Sequence, residues 1–238
     1  MFKRELLLKK GFALIELSIV MVLIGLIVAS VVGGQALVKQ AKLRNLISDV
    51  NQVKTAMNSF KLQYNALPGD IRNIQSYYPS IQNGNGNRVM EHNTNEPDGF
   101  WEVLQVENLY TKYVVGPTPE FLRTNEATPF GQGVYYRIAR SDDNVYGSSI
   151  NQWHLQIGDI TSSNNALHQY VTTKDTISID TKLDDGLAGD GWIKASRNEA
   201  TRFDSGCIIE NNFFKNLTSA TYDYSDDVGK CLIFFEVH

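Results

Sequence analysis

The order of apolar and polar residues divides the chain into a short basic start, a long apolar stretch and a mixed remainder. Residues 12–32 form an apolar stretch of 21 residues that carries a single charge, on Glu16. A helix of about 20 apolar residues is long enough to cross the ~30 Å hydrocarbon layer of a membrane. The pattern therefore predicts a transmembrane helix over residues 12–32.

A different helical pattern follows the apolar stretch. Apolar residues recur there at intervals of three and four, as expected for a helix that buries one face. This stripe consists of Leu43, Leu46, Ile47, Val50, Val53, Met57, Phe60 and Tyr64. We therefore predict one continuous helix over residues 12–64, with an amphipathic half over 33–64. The pair Gly33-Gly34 is either a point where this helix bends or a benign feature, since each Gly costs about 1 kcal/mol of helix propensity.

The remaining residues, 65–238, predict a globular head. Pro68 should end the long helix, because proline disfavours helical geometry at the residue before it. A short helix is predicted after Asp98, which would cap its N-terminus. Three runs of β-branched and aromatic residues predict strands, the first two joined by a hairpin loop over 141–149. These runs cover residues 133–139, 152–157 and 232–237. The predicted fold class is α+β, with a long N-terminal helix packed on an antiparallel β-sheet.

A motif stands at the start of the apolar stretch, in the run Lys-Lys-Gly-Phe-Ala-Leu-Ile-Glu over residues 9–16. It resembles the prepilin-type cleavage and methylation motif of type IV pilins and type II secretion pseudopilins. In that family a short basic leader and a Gly precede a Phe, and a Glu stands at the fifth mature position. The resemblance covers residues 9–32 and fades after about Tyr64. Ala13 departs from the family, in which Thr or Ser is more frequent at this position.

The resemblance implies a pilin-like fold and specific processing. A prepilin peptidase would remove the leader, residues 1–11, by cutting between Gly11 and Phe12. The same enzyme would methylate the new N-terminus at Phe12. Glu16 would be the buried glutamate of the family, which serves filament assembly.

The position of Glu16 is costly on physical grounds. A carboxylate within an apolar membrane helix costs about 2.5–3.5 kcal/mol on insertion scales. Cleavage before Phe12 would create an ammonium group, and the ammonium of a helix shifted along its axis would reach Glu16 and pair with it. Two alternatives stay open. Glu16 is a polar residue tolerated near a membrane end, or residues 1–36 are a secretory signal, although the apolar core of such signals is only about 7–15 residues long.

The charge of the chain bears on its partners and its location. The net charge is −4, and removal of the leader, which holds four basic residues and one Glu, would leave −7. A mildly acidic protein is not expected to bind nucleic acid non-specifically. The basic leader favours a cytoplasmic N-terminus, whereas Lys39, Lys42 and Arg44 oppose it. The orientation is therefore implied by the family: a single pass through the inner membrane, a periplasmic C-terminal domain, and later a place in a pilus or pseudopilus filament.

The chain has two cysteines, Cys207 and Cys231. In an oxidising compartment, two cysteines that close a loop of modest length generally form a disulfide. The alternative is a pair of buried thiols. Pilins similar to this chain commonly carry a C-terminal disulfide loop, so we predict a bond between the two.

Residues 180–191 combine four carboxylates with three glycines. Ca²⁺ takes carboxylate oxygens as ligands, although the spacing here is not that of an EF-hand. The candidate Ca²⁺ ligands are Asp180, Asp184, Asp185 and Asp190. The alternative is an acidic turn that holds no metal. No other cofactor is predicted.

The sequence shows no catalytic motif. It lacks a Gly-x-Ser-x-Gly elbow, a Walker loop and a glycine pattern for dinucleotide binding. Its histidines lack metal-site spacing and are predicted at surface or edge-strand positions; they are His92, His154, His168 and His238. An enzyme is therefore not predicted.

These features together predict a structural protein. It would be a low-copy minor subunit of a type IV pilus or type II secretion pseudopilus, since a mature chain of 227 residues makes a head that is hard to repeat in a tight lattice. The partners implied by the resemblance are the prepilin peptidase, other pilins or pseudopilins contacted through the N-terminal helix, and the inner-membrane assembly platform. Two alternatives stay open: a minor pilin whose head serves adhesion or DNA uptake, and a membrane-anchored periplasmic enzyme.

Overall fold

The computed structural model of the chain describes residues 14–88, 96–111, 121–122, 134–140, 153–160, 167–168, 171–196, 206–209, 220–225 and 229–237. The predicted cleavage site at Gly11 and Phe12 and the predicted loop over 141–149 lie outside these residues. The chain divides into two compact units, Met1–Lys42 and Leu43–His238. The boundary falls within the first helix, α1 (Leu14–Tyr64).

In the first unit, the described residues all belong to α1. The helix continues through Gly33 and Gly34, where an added Cβ would meet no atom within 4 Å. By length and composition, α1 is able to cross a membrane, and no residue of its most apolar 18-residue window is buried within the protein. The glycine pair therefore does not interrupt the helix.

In the second unit, α1 buries one face. The buried residues of this face are Leu43, Leu46, Asp49, Val50, Val53, Ala56, Met57 and Phe60. Six of them belong to the predicted apolar stripe, whereas Ile47 is half-buried and Tyr64 is exposed. Asp49 was not predicted to be buried. Its carboxylate accepts a hydrogen bond of 3.0 Å from the hydroxyl of Tyr136, which compensates for its lost hydration.

The head contains antiparallel strands. They are β1 (Phe121–Leu122), β2 (Val134–Arg140), β3 (Trp153–Ile160), β4 (Leu167–His168), β5 (Val171–Thr172), β6 (Ile193–Ser196), β7 (Ile208–Ile209), β8 (Thr221–Tyr222) and β9 (Lys230–Glu236). In the described part of the chain, the main sheet has the order β1-β2-β3-β9-β5, with β4 on β3 and β6 on β9, and β7 pairs with β8. The three predicted strands correspond to β2, β3 and β9. The α+β layout with an antiparallel sheet is thus confirmed.

The two faces of the main sheet differ in character. Directly paired residues of antiparallel strands lie on the same face. On the face that meets α1, Tyr136 pairs with Ile157, which pairs with Ile233, and all three are buried. On the other face, His154 pairs with Glu236, and both are buried. The prediction of a surface or edge position is therefore wrong for His154, because β3 has neighbouring strands on both sides.

Two short α-helices and a 3-10 helix (Ile74–Ser76) complete the described part of the head. The helix α2 (Glu96–Val106) begins before Asp98, so the prediction that Asp98 caps this helix is wrong. The helix α3 (Thr173–Leu183) was not predicted. It starts because Thr172 caps it: the Thr172 hydroxyl accepts a hydrogen bond of 3.3 Å from the backbone N–H of Asp175.

The turn after α1 is held by a buried carboxylate. Asp70 accepts hydrogen bonds from the backbone N–H groups of Gly86, at 2.5 Å, and Arg88, at 2.6 Å. Gly69 has a φ of +83°, and a Cβ there would collide with the carbonyl oxygen of Glu96. The polar loop over residues 82–88 is therefore fixed against the turn that leads out of α1.

Candidate functional site

The first candidate site is the apolar part of α1 that contains Glu16. In the described residues, Glu16 lies in the first turn of α1, and its side chain is exposed. Every large apolar side chain over residues 14–38 is exposed as well. An exposed apolar surface of this extent marks a site of contact with a membrane or with other protein chains. The predicted cleavage after Gly11 and methylation of Phe12 concern residues outside the described part of the chain.

The second candidate site is the acidic loop, which we define as residues 184–192, together with Asp180 at the end of α3. The structure brings three of the four predicted ligands together. One carboxylate oxygen each from Asp180, Asp184 and Asp185 lies within 4.8 Å of the other two. Asp190 is not part of this group. Repulsion among three carboxylates must be offset by hydrogen-bond donors, by protonation or by a cation.

Asp180 is the buried member of the cluster. Its side chain is fully inaccessible to solvent. One oxygen accepts a hydrogen bond of 2.6 Å from the hydroxyl of Tyr222, and the other accepts one of 3.2 Å from the backbone N–H of Gly186. Burial raises the pKa of Asp180 from 3.8 to about 6, and the charges of Asp185 and Asp184 act in the same direction. The two hydrogen bonds oppose the rise, because they stabilise the ionised form.

The other carboxylates bind the backbone of their own loop. Asp184 accepts a hydrogen bond of 2.9 Å from the N–H of Ile193. Asp185 accepts one of 2.8 Å from Leu187, and Asp190 accepts one of 2.9 Å from Gly191. The bond from Leu187 to Asp185 has the spacing of an Asx turn, in which an aspartate side chain replaces a backbone acceptor, whereas the bond from Ile193 to Asp184 ties the loop to the start of β6.

The acidic loop fits a calcium site only in part. Ca²⁺ takes about six to eight oxygen ligands. The carboxylates that converge here supply three, from Asp180, Asp184 and Asp185. Both oxygens of Asp180 already accept hydrogen bonds. The geometry thus favours an acidic turn stabilised by backbone donors, and calcium binding stays a prediction.

The acidic loop is anchored on α1 through Trp192. The indole N–H of Trp192 donates a hydrogen bond of 3.0 Å to the carbonyl oxygen of Leu183 at the end of α3. The Lys54 ammonium lies 4.2 Å from the centre of a Trp192 ring, which is a cation–π contact. Burial lowers the pKa of Lys54, while the charges of Glu236 and Asp184 act the other way. The loop is therefore attached to both helices.

The predicted disulfide is confirmed. Cys207 and Cys231 are bonded, with their Cα atoms 5.1 Å apart, and both are buried. Cys207 directly precedes β7, and Cys231 lies in β9 of the main sheet. The bond therefore ties the small β7–β8 hairpin to the main sheet.

Sequence reasoning missed the residues that complete the acidic cluster. Tyr222 is 42 residues from Asp180 in the chain, and no local pattern links the two. The α3 helix, which places Asp180 in the interior, was missed as well. A signal was present at Thr172, whose spacing to Asp175 is typical of a helix N-cap.

Comparisons of the chain with protein-family models, with curated proteins and with solved structures give no match. The basis for a functional proposal is therefore the resemblance of residues 9–16 to a processing motif, together with the contacts and exposure described above.

Proposed function

We propose that the chain is a subunit, present in low copy number, of a type IV pilus or a type II secretion pseudopilus. The apolar part of α1 would anchor it in the inner membrane before assembly and contact other subunits afterwards. The observation that carries the proposal is the exposure of every large apolar side chain over residues 14–38. These side chains directly follow a motif that resembles the prepilin processing site.

The free-energy cost of exposing apolar side chains to water supports the role of the apolar part of α1 as a membrane anchor that later contacts other subunits. Burying a Leu, Ile or Val side chain contributes about 1.5–3 kcal/mol. A helix that exposes such side chains along its whole length is stable only in lipid or among other apolar helices. The same segment suits both environments, because a lipid chain and a neighbouring helix both offer an apolar surface.

Glu16 supports assembly with a defined register. In lipid its carboxylate is costly, by about 2.5–3.5 kcal/mol. In a filament, the ammonium of a processed Phe12 on a neighbouring subunit would neutralise it. The pair would form only when the two helices are correctly staggered, so that a charge with a cost in the membrane becomes a specific contact in the filament.

The N-terminus of the mature protein tests the processing on which this proposal depends. We expect mass spectrometry of the chain from its native membrane to show N-methylated Phe12 at the N-terminus. A Gly11→Val variant should keep its leader, whereas a matched Ala13→Ser variant should be processed normally. An N-terminus at Met1 or near Leu37 in the unmodified chain would contradict the proposal.

A further inference from the structure

The polar loop over residues 82–88 contains two Asn-Gly pairs, Asn83-Gly84 and Asn85-Gly86. Both asparagines are exposed, so water reaches their side chains. An Asn that is followed by Gly is chemically labile, because Gly has no Cβ to shield its backbone nitrogen or to restrict rotation. That nitrogen attacks the side-chain carbonyl carbon of the Asn when the backbone is free to rotate. The contacts of the loop therefore decide how fast each Asn reacts.

The peptide group between Asn85 and Gly86 is held at both ends by side chains. The carbonyl oxygen of Asn85 accepts a hydrogen bond of 2.7 Å from Nε of Arg72. The N–H of Gly86 donates one of 2.5 Å to the buried carboxylate of Asp70. The Arg72 side chain also covers Gly86 so closely that a Cβ on this residue would collide with it. The peptide group therefore cannot rotate toward the Asn85 side chain while these contacts last.

The same contacts make the nitrogen of Gly86 a poor nucleophile. The attack requires that this nitrogen lose its proton, and the neighbouring negative charge of Asp70 disfavours the deprotonated form. Asn85 is fixed further, because its N–H donates a hydrogen bond of 3.0 Å to Glu96 and its Oδ1 accepts one of 2.8 Å from the N–H of Asn87. Both reacting groups are therefore fixed in the closed loop.

The pair Asn83-Gly84 is held by backbone groups instead. The N–H of Gly84 donates a hydrogen bond of 3.0 Å to the backbone carbonyl oxygen of Ile71. The Oδ1 of Asn83 accepts one of 3.0 Å from the backbone N–H of Gln75. These two bonds involve no side chain other than that of Asn83 itself. The two Asn-Gly pairs thus differ in the groups that hold them, although they are neighbours in one loop.

We propose that Asn85 is a deamidation site that Asp70 and Arg72 keep closed. When the loop opens in a local fluctuation, the Gly86 nitrogen attacks Cγ of Asn85. The N–Cγ bond forms, the Cγ–Nδ2 bond breaks, and the leaving amide group takes up the proton of the Gly86 nitrogen and departs as ammonia. Water then opens the cyclic imide at either carbonyl carbon, which gives aspartate or isoaspartate. This inference is independent of the proposed filament function.

The reaction makes the opening of the loop irreversible. Either product replaces a neutral amide by a carboxylate, close to the carboxylates of Asp70 and Glu96, which repel it. Isoaspartate also lengthens the backbone by one methylene group, which displaces the N–H of Gly86 from Asp70. The amide protons of Gly86 and Arg88 should therefore exchange faster in the converted chain than in the unmodified one. Equal exchange would refute the irreversible step.

The test of the site is peptide mass spectrometry of the full chain after incubation in detergent micelles at neutral pH. Fragmentation of the peptide that contains both asparagines assigns the conversion to Asn83 or Asn85. The same chain unfolded in guanidinium chloride gives the two rates without the fold. We expect both asparagines to convert more slowly in the folded chain than in the unfolded chain.

Two variants separate the hold on Asn85 from the stability of the head. Asp70→Asn removes the charged acceptor, and Arg72→Ala removes a side chain that is exposed, so the second variant should fold normally. Each should accelerate the conversion of Asn85 by at least about tenfold, since a hydrogen bond to a charged group stabilises the closed state by such a factor. The rate of Asn83 should stay unchanged, which makes it the internal control for unfolding.

Three results would overturn the proposal. The first is a conversion of Asn85 that is equally fast in the folded and the unfolded chain. The second is an unchanged rate of Asn85 in either variant. The third is an equal acceleration of Asn83 and Asn85 in Arg72→Ala, because it would mean that the whole loop opens and that no separate hold on Asn85 exists.

Discussion

Two parts of one helix, α1, are both rich in apolar residues but differ in burial. In the head, Leu46 and Val53 are at most 1% exposed, whereas Leu23 and Ile27 in the first unit are 53% and 62% exposed. The difference in burial follows from the residues that are interspersed among the apolar ones in each part of the helix. Polar residues alternate with the apolar stripe in the head, so one partner surface is enough. The earlier part is apolar on all sides and needs apolar surroundings on all sides.

Charged groups also differ between the head and the exposed part of α1. Buried charges in the head meet their partners within the chain. Lys194 and Glu236 form a buried ion pair with a distance of 2.5 Å between Nζ and Oε1, and Asp180 accepts a hydrogen bond from Tyr222. Glu16 lies in an exposed apolar helix, and in our proposal the ammonium of another subunit reaches it in the filament. The head thus buries its charged groups against its own residues, whereas the exposed apolar part of α1 is suited to contact with lipid or with other protein chains.

Truncation of apolar side chains should show this difference most strongly. Phe60 is fully buried, so Phe60→Ala should lower the free energy of unfolding of the head by about 3–5 kcal/mol. Leu26→Ala in the exposed part should change it by less than about 0.5 kcal/mol. Denaturant unfolding in micelles measures both, followed by the fluorescence of the tryptophans, which all lie in the head. An equal decrease in the free energy of unfolding in the two variants would contradict the difference between the buried and the exposed part of α1.

Removal of a buried hydrogen bond should have a smaller effect. Tyr136→Phe takes away the hydroxyl that donates to Asp49, which should cost about 1–3 kcal/mol. Asp49→Asn is the matched control, since it keeps an acceptor for the hydroxyl and removes the buried charge. The loss should therefore be smaller for Asp49→Asn, as measured by the same unfolding experiment. The reverse order would mean that the charge of Asp49 has a further essential role.

The stability of the head should depend on pH through Asp180. Its pKa in the folded protein is about 6, above the ordinary value of 3.8. Between these values the folded state binds more protons than the unfolded state, so the free energy of unfolding falls as the pH rises from about 4 to 6. Asp180→Asn should flatten this dependence. Thermal melting at a series of pH values tests the expectation, and an unchanged slope in Asp180→Asn would refute it.

Calcium should have the smallest effect. The cluster supplies three of the carboxylate oxygens that Ca²⁺ requires, and backbone donors already bind its members. We therefore expect the same melting temperature in millimolar calcium and in a chelator. A melting temperature that is higher in calcium, and a loss of this increase in Asp185→Asn, would instead establish a calcium site. The reason is that a ligand that binds only the folded state raises its stability.

The long elements of the fold could be predicted because their periodicity is strong. Apolar runs and stripes predicted α1, and clusters of β-branched and aromatic residues predicted β2, β3 and β9. The helix α3 was missed because its 11 residues include three Thr, two Ile and one Ser, which have modest helix propensity. This helix depends on its cap at Thr172 and on the burial of Ile179 and Asp180.

The contacts of the buried polar residues could not be predicted. Asp49 meets Tyr136 across 87 residues of chain, and Asp180 meets Tyr222 across 42. No local pattern indicates such a partner, so the burial of Asp49 was not predicted. For the same reason, Asp180 was predicted as a candidate calcium ligand and not as a partner of Tyr222. The disulfide was predictable because the chain has only two cysteines.

The most direct test of the proposed filament function is the incorporation of a Glu16→Ala variant into filaments. Membrane fractionation should show normal or improved insertion, because an unfavourable charge has been removed. The amount of the variant in sheared filaments, relative to the unmodified chain, should fall, since a buried ammonium without its partner costs about 3–5 kcal/mol. Ser18→Ala is the control, because the Ser18 hydroxyl donates a hydrogen bond to the carbonyl oxygen of Ile15 in its own helix turn. Normal incorporation of Glu16→Ala would contradict the account.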